Sequence, residues 1–173
     1  MNNIYFITGV NGVGKTTIIP YLKAILSENE YAVFDFDARG VPENADREWR
    51  ISEAKYWISE GERLSKEGKN TVICGFVKTG DLGYKLSEVG LVLLHADPEI
   101  IRERLIKRYS KNGVFDEEQE VIGKPISKFI AGTIWLIEKL KGEFEGRDFP
   151  IVDTSSLTPE MVAKKVAEVV LKS

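Results

Sequence analysis

The sequence predicts a three-layer α/β/α fold around a parallel sheet, and three observations predict it. Strand and helix patterns alternate along the chain, as in open α/β proteins. The runs Thr71-Val72-Ile73-Cys74 and Leu91-Val92-Leu93-Leu94 are continuously apolar, the pattern of strands covered on both faces. A glycine-rich turn joins the first strand pattern to the first helix pattern. With 173 residues, 43% of them hydrophobic, the chain has material for one core, and a single domain over 1–173 is expected.

Each element follows in order. Ile4-Tyr5-Phe6-Ile7 is short, β-branched and aromatic and runs into glycines, so it reads as a buried strand. Residues 15–27 read as a helix. Ala32-Val33-Phe34 makes a second strand ending at Asp35-Phe36-Asp37, and Gly40, Pro42 and Asn44 mark the loop after it. Over 46–66, Trp49, Trp57, Ile58 and Leu64 recur at near-helical spacing, which predicts a second long helix. Asp97-Pro98-Glu99 and Thr158-Pro159-Glu160 each place a capping side chain before proline at the first helical position, with an acid in the first turn. The helix after Asp97 runs to about Tyr109. The polar stretch 110–124, which contains Gly113 and Gly123, is a candidate mobile segment. Beyond Pro125, a helical stripe of Ile126, Phe129, Ile130, Ile134, Ile137 and Leu140 belongs to the core. Residues 150–152 give a fifth, short strand.

Charge excludes more than it selects. A 29% charged fraction with net charge −3 lacks the basic excess of a nucleic-acid binder. The one cysteine, Cys74, makes no intramolecular disulfide, and the first residues lack the basic start and cleavage site of a signal peptide. A reducing, cytoplasmic location is expected. No apolar run approaches the roughly 18 residues that cross a bilayer.

Gly9-Val10-Asn11-Gly12-Val13-Gly14-Lys15-Thr16 fits G-x-x-x-x-G-K-[ST] between a predicted strand and a predicted helix. With glycine at about 7% of residues, the pattern arises by chance in under about 1% of chains this long. Its glycines let the backbone close on phosphate oxygens, whose charge the N–H groups and the helix start attract. Lys15 reaches the β- and γ-phosphates and Thr16 ligates Mg²⁺. Gly9, Asn11, Gly12, Val13, Gly14, Lys15, Thr16 and Thr17 are therefore candidate nucleotide contacts, and ATP with Mg²⁺ the expected cofactors.

Asp35 and Asp37 end the second strand, where ligands bind in open α/β sheets. Spacing of two along a strand points both the same way, one carboxylate toward magnesium and the other toward the proton of an attacking hydroxyl. The competing reading makes them turn residues. Arg47 and Arg50 open the helix after the loop, and Arg50 is a candidate clamp for an anionic acceptor, against a plain Arg50–Glu53 pair on an exposed helix. Arg104 and Arg108, one turn apart, are candidates to cover the triphosphate and stabilise the transferring phosphoryl group, with a solvated helix face as the alternative. Gly75-Phe76-Val77-Lys78 ends the third strand, so Gly75 and Lys78 border the acceptor. Cys74 stands where many such proteins carry an acid for magnesium, which leaves Asp35 as metal candidate beside Thr16. His95 reads as a satisfied structural residue.

Taken together, these residues resemble a small kinase of the adenylate/shikimate kinase type over nearly the whole chain. Asp35-Phe36-Asp37, then Trp49-Arg50 with Glu53, then Cys74-Gly75 follow the shikimate kinase order of acid pair, arginine and glycine-rich strand end. Gly75-Phe76-Val77-Lys78-Thr79 is similar to the Gly-Phe-Pro-Arg-Thr stretch of adenylate kinases, with Val77 and Lys78 replacing proline and arginine. The resemblance implies a five-stranded parallel sheet in the order 2-3-1-4-5, an acceptor-binding region over about 38–68 and a lid over about 108–125. It also implies that Asp37 contacts the acceptor hydroxyl, Asp35 assists the metal, Arg50 binds the acceptor and Arg108 is the lid arginine. Ile151-Val152-Asp153-Thr154-Ser155 is similar to the strand and loop bordering the adenine, which makes Thr154 and Ser155 candidate contacts. Shikimate kinases carry three glycines where this chain has Gly75-Phe76-Val77, so the acceptor stays open between a small molecule and a nucleoside or nucleotide.

The expected activity is an ATP- and Mg-dependent kinase acting on a small acceptor, as monomer or homodimer. A P-loop ATPase switch and a polynucleotide 5′-kinase are the alternatives. The latter calls for a basic channel that the charge does not suggest, and no Asn-Lys-x-Asp stretch supports guanine specificity.

Overall fold

The computed structural model describes residues 3–43, 45–111 and 113–172. Asn44, named above as a loop marker, and position 112 within the polar stretch lie outside the described residues. The elements are β1 (Ile4–Thr8), α1 (Ile19–Ile25), β2 (Tyr31–Asp35), α2 (Arg47–Lys66), β3 (Asn70–Cys74), α3 (Thr79–Leu82), β4 (Gly90–His95), α4 (Pro98–Tyr109), β5 (Glu120–Val121), β6 (Lys124–Pro125), α5 (Ile126–Glu145), β7 (Ile151–Asp153) and α6 (Pro159–Lys172), with a 3₁₀ turn at Gly83–Glu88.

The main sheet is parallel, five-stranded and ordered β2-β3-β1-β4-β7, the 2-3-1-4-5 order expected. β1 lies at its centre, buried at every position and paired with β3 (Ile7 to Cys74) and β4 (Thr8 to Leu93). All four residues of each continuous apolar run are buried, because helices cover both faces. α1 packs against α6, while Trp57, Ile58 and Leu64 of α2 and Ile126, Ile130, Ile137 and Leu140 of α5 turn into the core. No helix among the described residues is long and apolar enough to cross a membrane.

Two local expectations are corrected, and two features appear that the sequence did not announce. The first helix begins at Ile19 rather than at 15, and turns occupy 15–18. Pro20 has no N–H to donate to Thr16, so the hydrogen-bond ladder starts late; the Ile18 N–H nevertheless bonds Gly14 O at 3.2 Å, keeping the turn helical in sense. Asp97 precedes α4 as expected, yet its side chain makes no cap bond. The Thr158 hydroxyl does cap α6, accepting from the Met161 N–H at 3.3 Å. The polar stretch 110–124 carries a hairpin of β5 with β6, whose turn residues Ile122 and Gly123 have φ of 53° and 65°, both left-handed as a tight hairpin turn requires. Finally, α3 and the 3₁₀ turn fill the crossover from β3 to β4, where no periodicity announced them.

Candidate active site

The cleft at the carboxyl ends of the strands encloses about 420 Å³ and is lined by the phosphate loop, by Asp37, Arg104 and Arg108, and by Thr154, Leu157, Pro159 and Val162. Its floor depends on glycine. Gly9 has φ of 150°, and a Cβ there would lie 2.5 Å from Leu94 O, so the loop leaves β1 in a path closed to other residues. Gly12 and Gly14 also have positive φ. Lys15 folds over the loop, with Nζ donating to Val10 O at 2.8 Å. Burial lowers its pKa to about 8, with Asp37 the strongest opposing influence and Asp35 a weaker one. Both carboxylate charges act on the lysine, and Asp37 is the one of the two that lines the cleft.

The acid pair departs from a simple strand end. β2 stops at Asp35, and Asp37 sits in the following turn, where its N–H donates to Asp35 Oδ1 at 2.9 Å. The side-by-side orientation expected of two strand positions is replaced by a turn that stacks one acid on the backbone of the other. Desolvation, then the Asp35 charge, push the Asp37 pKa up against the pull of Lys15. Phe36 between them is buried, and Trp57 Nε1 donates to its carbonyl at 2.9 Å.

The two arginines of α4 differ. Arg104 donates from Nη1 to Gly12 O (3.2 Å) and Thr154 Oγ1 (3.0 Å) and from Nη2 to Thr154 O (2.7 Å). Its guanidinium is bound to protein at the wall of the cleft, which it lines together with Arg108. Arg108 is exposed, lines the cleft and acts on the Lys15 pKa, with no carboxylate paired to it among the described residues. Thr154 is buried and its N–H donates to His95 O at 2.7 Å, while Ser155 Oγ accepts from the Asp97 N–H at 2.8 Å. Ser155 thereby holds the start of α4 rather than lining the cleft. His95 is buried with Nε2 3.3 Å from Glu138 Oε1, the satisfied state expected of it.

Arg50, Lys78 and Gly75 lie outside this cleft's lining. Arg50 Nε donates to Asp81 Oδ2 at 2.9 Å, and Arg47 Nε stands 3.5 Å from Asp81 Oδ1. The competing Arg50–Glu53 pair does not form; Glu53 bonds Arg39 at 3.1 Å instead. Asp81, buried and also accepting from the Lys78 N–H at 3.0 Å, was invisible in the sequence. Two bonds between Thr8 Oγ1 and Val77 place Lys78 beside the root of the phosphate loop. Lys78 and Arg47 line a second groove of about 470 Å³ between α3 and α5, with Trp135, Lys139, Glu143 and Arg147. Gly75 has a packing reason: a Cβ there would fall 2.0 Å from the Phe36 Cβ. Leu157, Pro159 and Val162 were also missed as cleft residues; Pro159 had been read only as a helix start.

The comparisons with known proteins fit this geometry. The sequence pattern of the AAA domain family matches residues 6–123. The chain belongs to that family. Over 173 residues it is 31% identical to the protein named "Putative adenylate kinase" of Thermococcus gammatolerans, covering 98% of this chain and 86% of that one. Over 77 residues, 39% of this chain, it is 44% identical to the protein named "Nucleoside-triphosphatase THEP1" of Saccharolobus solfataricus. The shikimate kinase of Acinetobacter baumannii, solved in complex with shikimate, superposes with a TM-score of 0.62 over 99% of this chain and 94% of that one, at 14% identity. That likeness speaks for the fold. This AAA-domain protein is thus a small, kinase-like P-loop NTPase.

Proposed function

We propose that the protein is an ATP- and Mg-dependent kinase that moves the γ-phosphate to a small anionic acceptor. One observation carries the reading: Asp37 and Arg108 converge on Lys15 in a single cleft. An acid with a raised pKa, a lysine within the phosphate loop and an arginine with no carboxylate partner among the described residues are groups that a positioned phosphoryl transfer can use. Lys15 leaves Val10 O for the β- and γ-phosphates and regains its proton's stability there. Asp37 accepts the proton of the attacking hydroxyl, and Arg108 stabilises the charge on the transferring group. The base lies toward Leu157, Pro159 and Val162. The region 38–68 and the segment 108–125 serve as acceptor side and lid.

Magnesium suits the donor set. Among the described residues no three acids, histidines or cysteines gather into a closed metal site, and magnesium is ordinarily held by one or two protein groups plus phosphate oxygens. Thr16 lines the cleft, and Asp35 keeps one carboxylate oxygen without a hydrogen bond. These two would hold the ion, which supplies charge neutralisation across the phosphates.

The α3–α5 groove supports an anionic acceptor. Arg47, Lys78, Lys139 and Arg147 outnumber Asp81 and Glu143 along its lining, in a protein of net charge −3. Arg47 stands at the first position of α2, where the helix dipole disfavours a cation, and Trp135 keeps 63% of its surface exposed.

Coupling ADP release to nucleosides, nucleoside monophosphates, shikimate, gluconate and aminoglycosides tests the reading. An acceptor that raises turnover well above the background, and fails to do so with Asp37→Asn, is the expected result. Acceptor-independent release across the whole panel would favour a nucleoside triphosphatase, the reading suggested by the partial THEP1 likeness.

A further inference from the structure

Arg104 spends its guanidinium on two loops that share no direct hydrogen bond with each other among the described residues. One is the phosphate loop, through Gly12 O; the other begins at Thr154, which offers both Oγ1 and O. β7, which leads into the second loop, has three residues and pairs with β4 alone. The wall formed by Thr154, Leu157 and Pro159 is tied to the end of β4 by the Thr154 N–H to His95 O bond and to the start of α4 through Ser155, and Arg104 supplies its tie to the phosphate loop. On the phosphate-loop side, Arg104 Nη1 donates to the Gly12 carbonyl, and both residues line the cleft.

We infer that Arg104 is a positioning residue, which fixes the base-side wall relative to the phosphate loop so that one rigid frame receives polyphosphate and base together. This rests on the reading of the cleft as an ATP site. Three features carry it. The donors are engaged with protein in a planar fork that lysine cannot reproduce. Thr154 Oγ1, in a side chain 2% exposed, gains in Arg104 the donor that a buried hydroxyl oxygen requires. Arg108, one turn onward, is the arginine left free for the phosphoryl group. Preorganising two halves of a site removes an ordering cost that otherwise falls on ligand binding, and the gain appears only for ligands that touch both halves.

Calorimetric titration with Mg·ATP and with Mg·tripolyphosphate separates the halves without requiring turnover. Arg104→Lys should weaken ATP on the order of tenfold, the scale of lost charge-assisted hydrogen bonds, and change tripolyphosphate by less than about threefold, since lysine preserves the local charge. Thr154→Val should weaken ATP alone and add little on the Arg104→Lys background, because both remove the same brace. An equal loss for ATP and tripolyphosphate would show a phosphate contact or general loosening and overturn the inference. So would unchanged binding in both variants, or unchanged binding with depressed turnover. Should Arg104→Lys unfold, Arg104→Gln and Thr154→Val carry the same contrast. If wild type binds neither ligand, the ATP-site reading itself falls, an outcome distinct from a wild type that binds both while Arg104→Lys matches it.

Discussion

The phosphate loop is built from its own backbone, whereas the groove between α3 and α5 is assembled from the side chains of three helices and a connecting loop. In the first, conformation is set by glycines at positive φ and by two carbonyls, Val10 O held by Lys15 and Gly12 O held by Arg104. In the second, one buried carboxylate, Asp81, gathers Arg50, Arg47 and the Lys78 backbone. The comparison teaches that a backbone-built site tolerates change around it, while a site gathered on one acid depends on that acid. Substitutions should therefore separate the two regions cleanly.

The sharpest break is at Lys15. Lys15→Met should reduce phosphotransfer by at least about 10³-fold, as expected when the main cation on a transferring phosphoryl is lost, yet raise the melting temperature of the free protein. The sign follows from the pKa of about 8. Below pH 8 both folded and unfolded chains carry the charge, and the folded one bears the cost of partial burial. Between pH 8 and the ordinary lysine value the folded state has shed its proton first, so stability rises with pH through that window. Methionine removes the cost at neutral pH, and a gain of about 2–4 °C corresponds to 1 kcal/mol for a chain of this size. A melting temperature that falls would mean that the Val10 contact outweighs the burial.

Asp37 and Asp35 should split next. Asp37→Asn leaves Mg·ATP binding near wild type and lowers kcat on the order of 10²–10⁴-fold for a missing base, whereas Asp35→Asn raises the magnesium requirement. The raised Asp37 pKa adds a pH test: kcat should fall on acidification at a pH above the ordinary carboxylate range, as the base takes up its proton. Equal, small effects at both positions would return the pair to the role of turn residues.

On the other side, Asp81→Asn should raise the acceptor KM on the order of tenfold and leave the KM for ATP unchanged, because Arg50 and Arg47 lose the charge that orients them. Stability should also drop, by about 1–3 kcal/mol for a weakened buried pair. A matching rise in both KM values would show that the two regions are not separable.

The smallest effect belongs to the hairpin. Ile122, a β-branched residue at φ of 53°, occupies a conformation that costs roughly 1–2 kcal/mol. Ile122→Asn should stabilise the protein by up to about that amount, read in chemical denaturation, with no effect on ATP binding.

The same contrast explains what the sequence reveals. The phosphate loop was legible because its chemistry requires particular residues at fixed spacing, and the sheet because strands buried on both faces are continuously apolar. The groove between α3 and α5 was not. Asp81 follows Thr79-Gly80 in an unpatterned stretch, and its partners lie 31 and 34 positions earlier in α2. Arg104 and Arg108 looked equivalent at one-turn spacing; only the approach of Gly12 and Thr154 tells them apart. The start of α1 was misplaced because the motif's own promise of a helix outweighed Pro20 in the reading. The turn at 122–123 was missed because isoleucine rarely enters such a conformation.

The contact between Gly75 and Phe36 bears on how this protein changes over generations. A Cβ at 75 would overlap the Phe36 side chain. Since the nearest atom is the Phe36 Cβ itself, which every residue but glycine carries, a smaller side chain at 36 does not make room, and alanine or serine at 75 requires the backbone at 36 to shift. Such a shift carries the adjoining turn at Asp37 with it, so position 75 is constrained by the path of the chain between two strand ends.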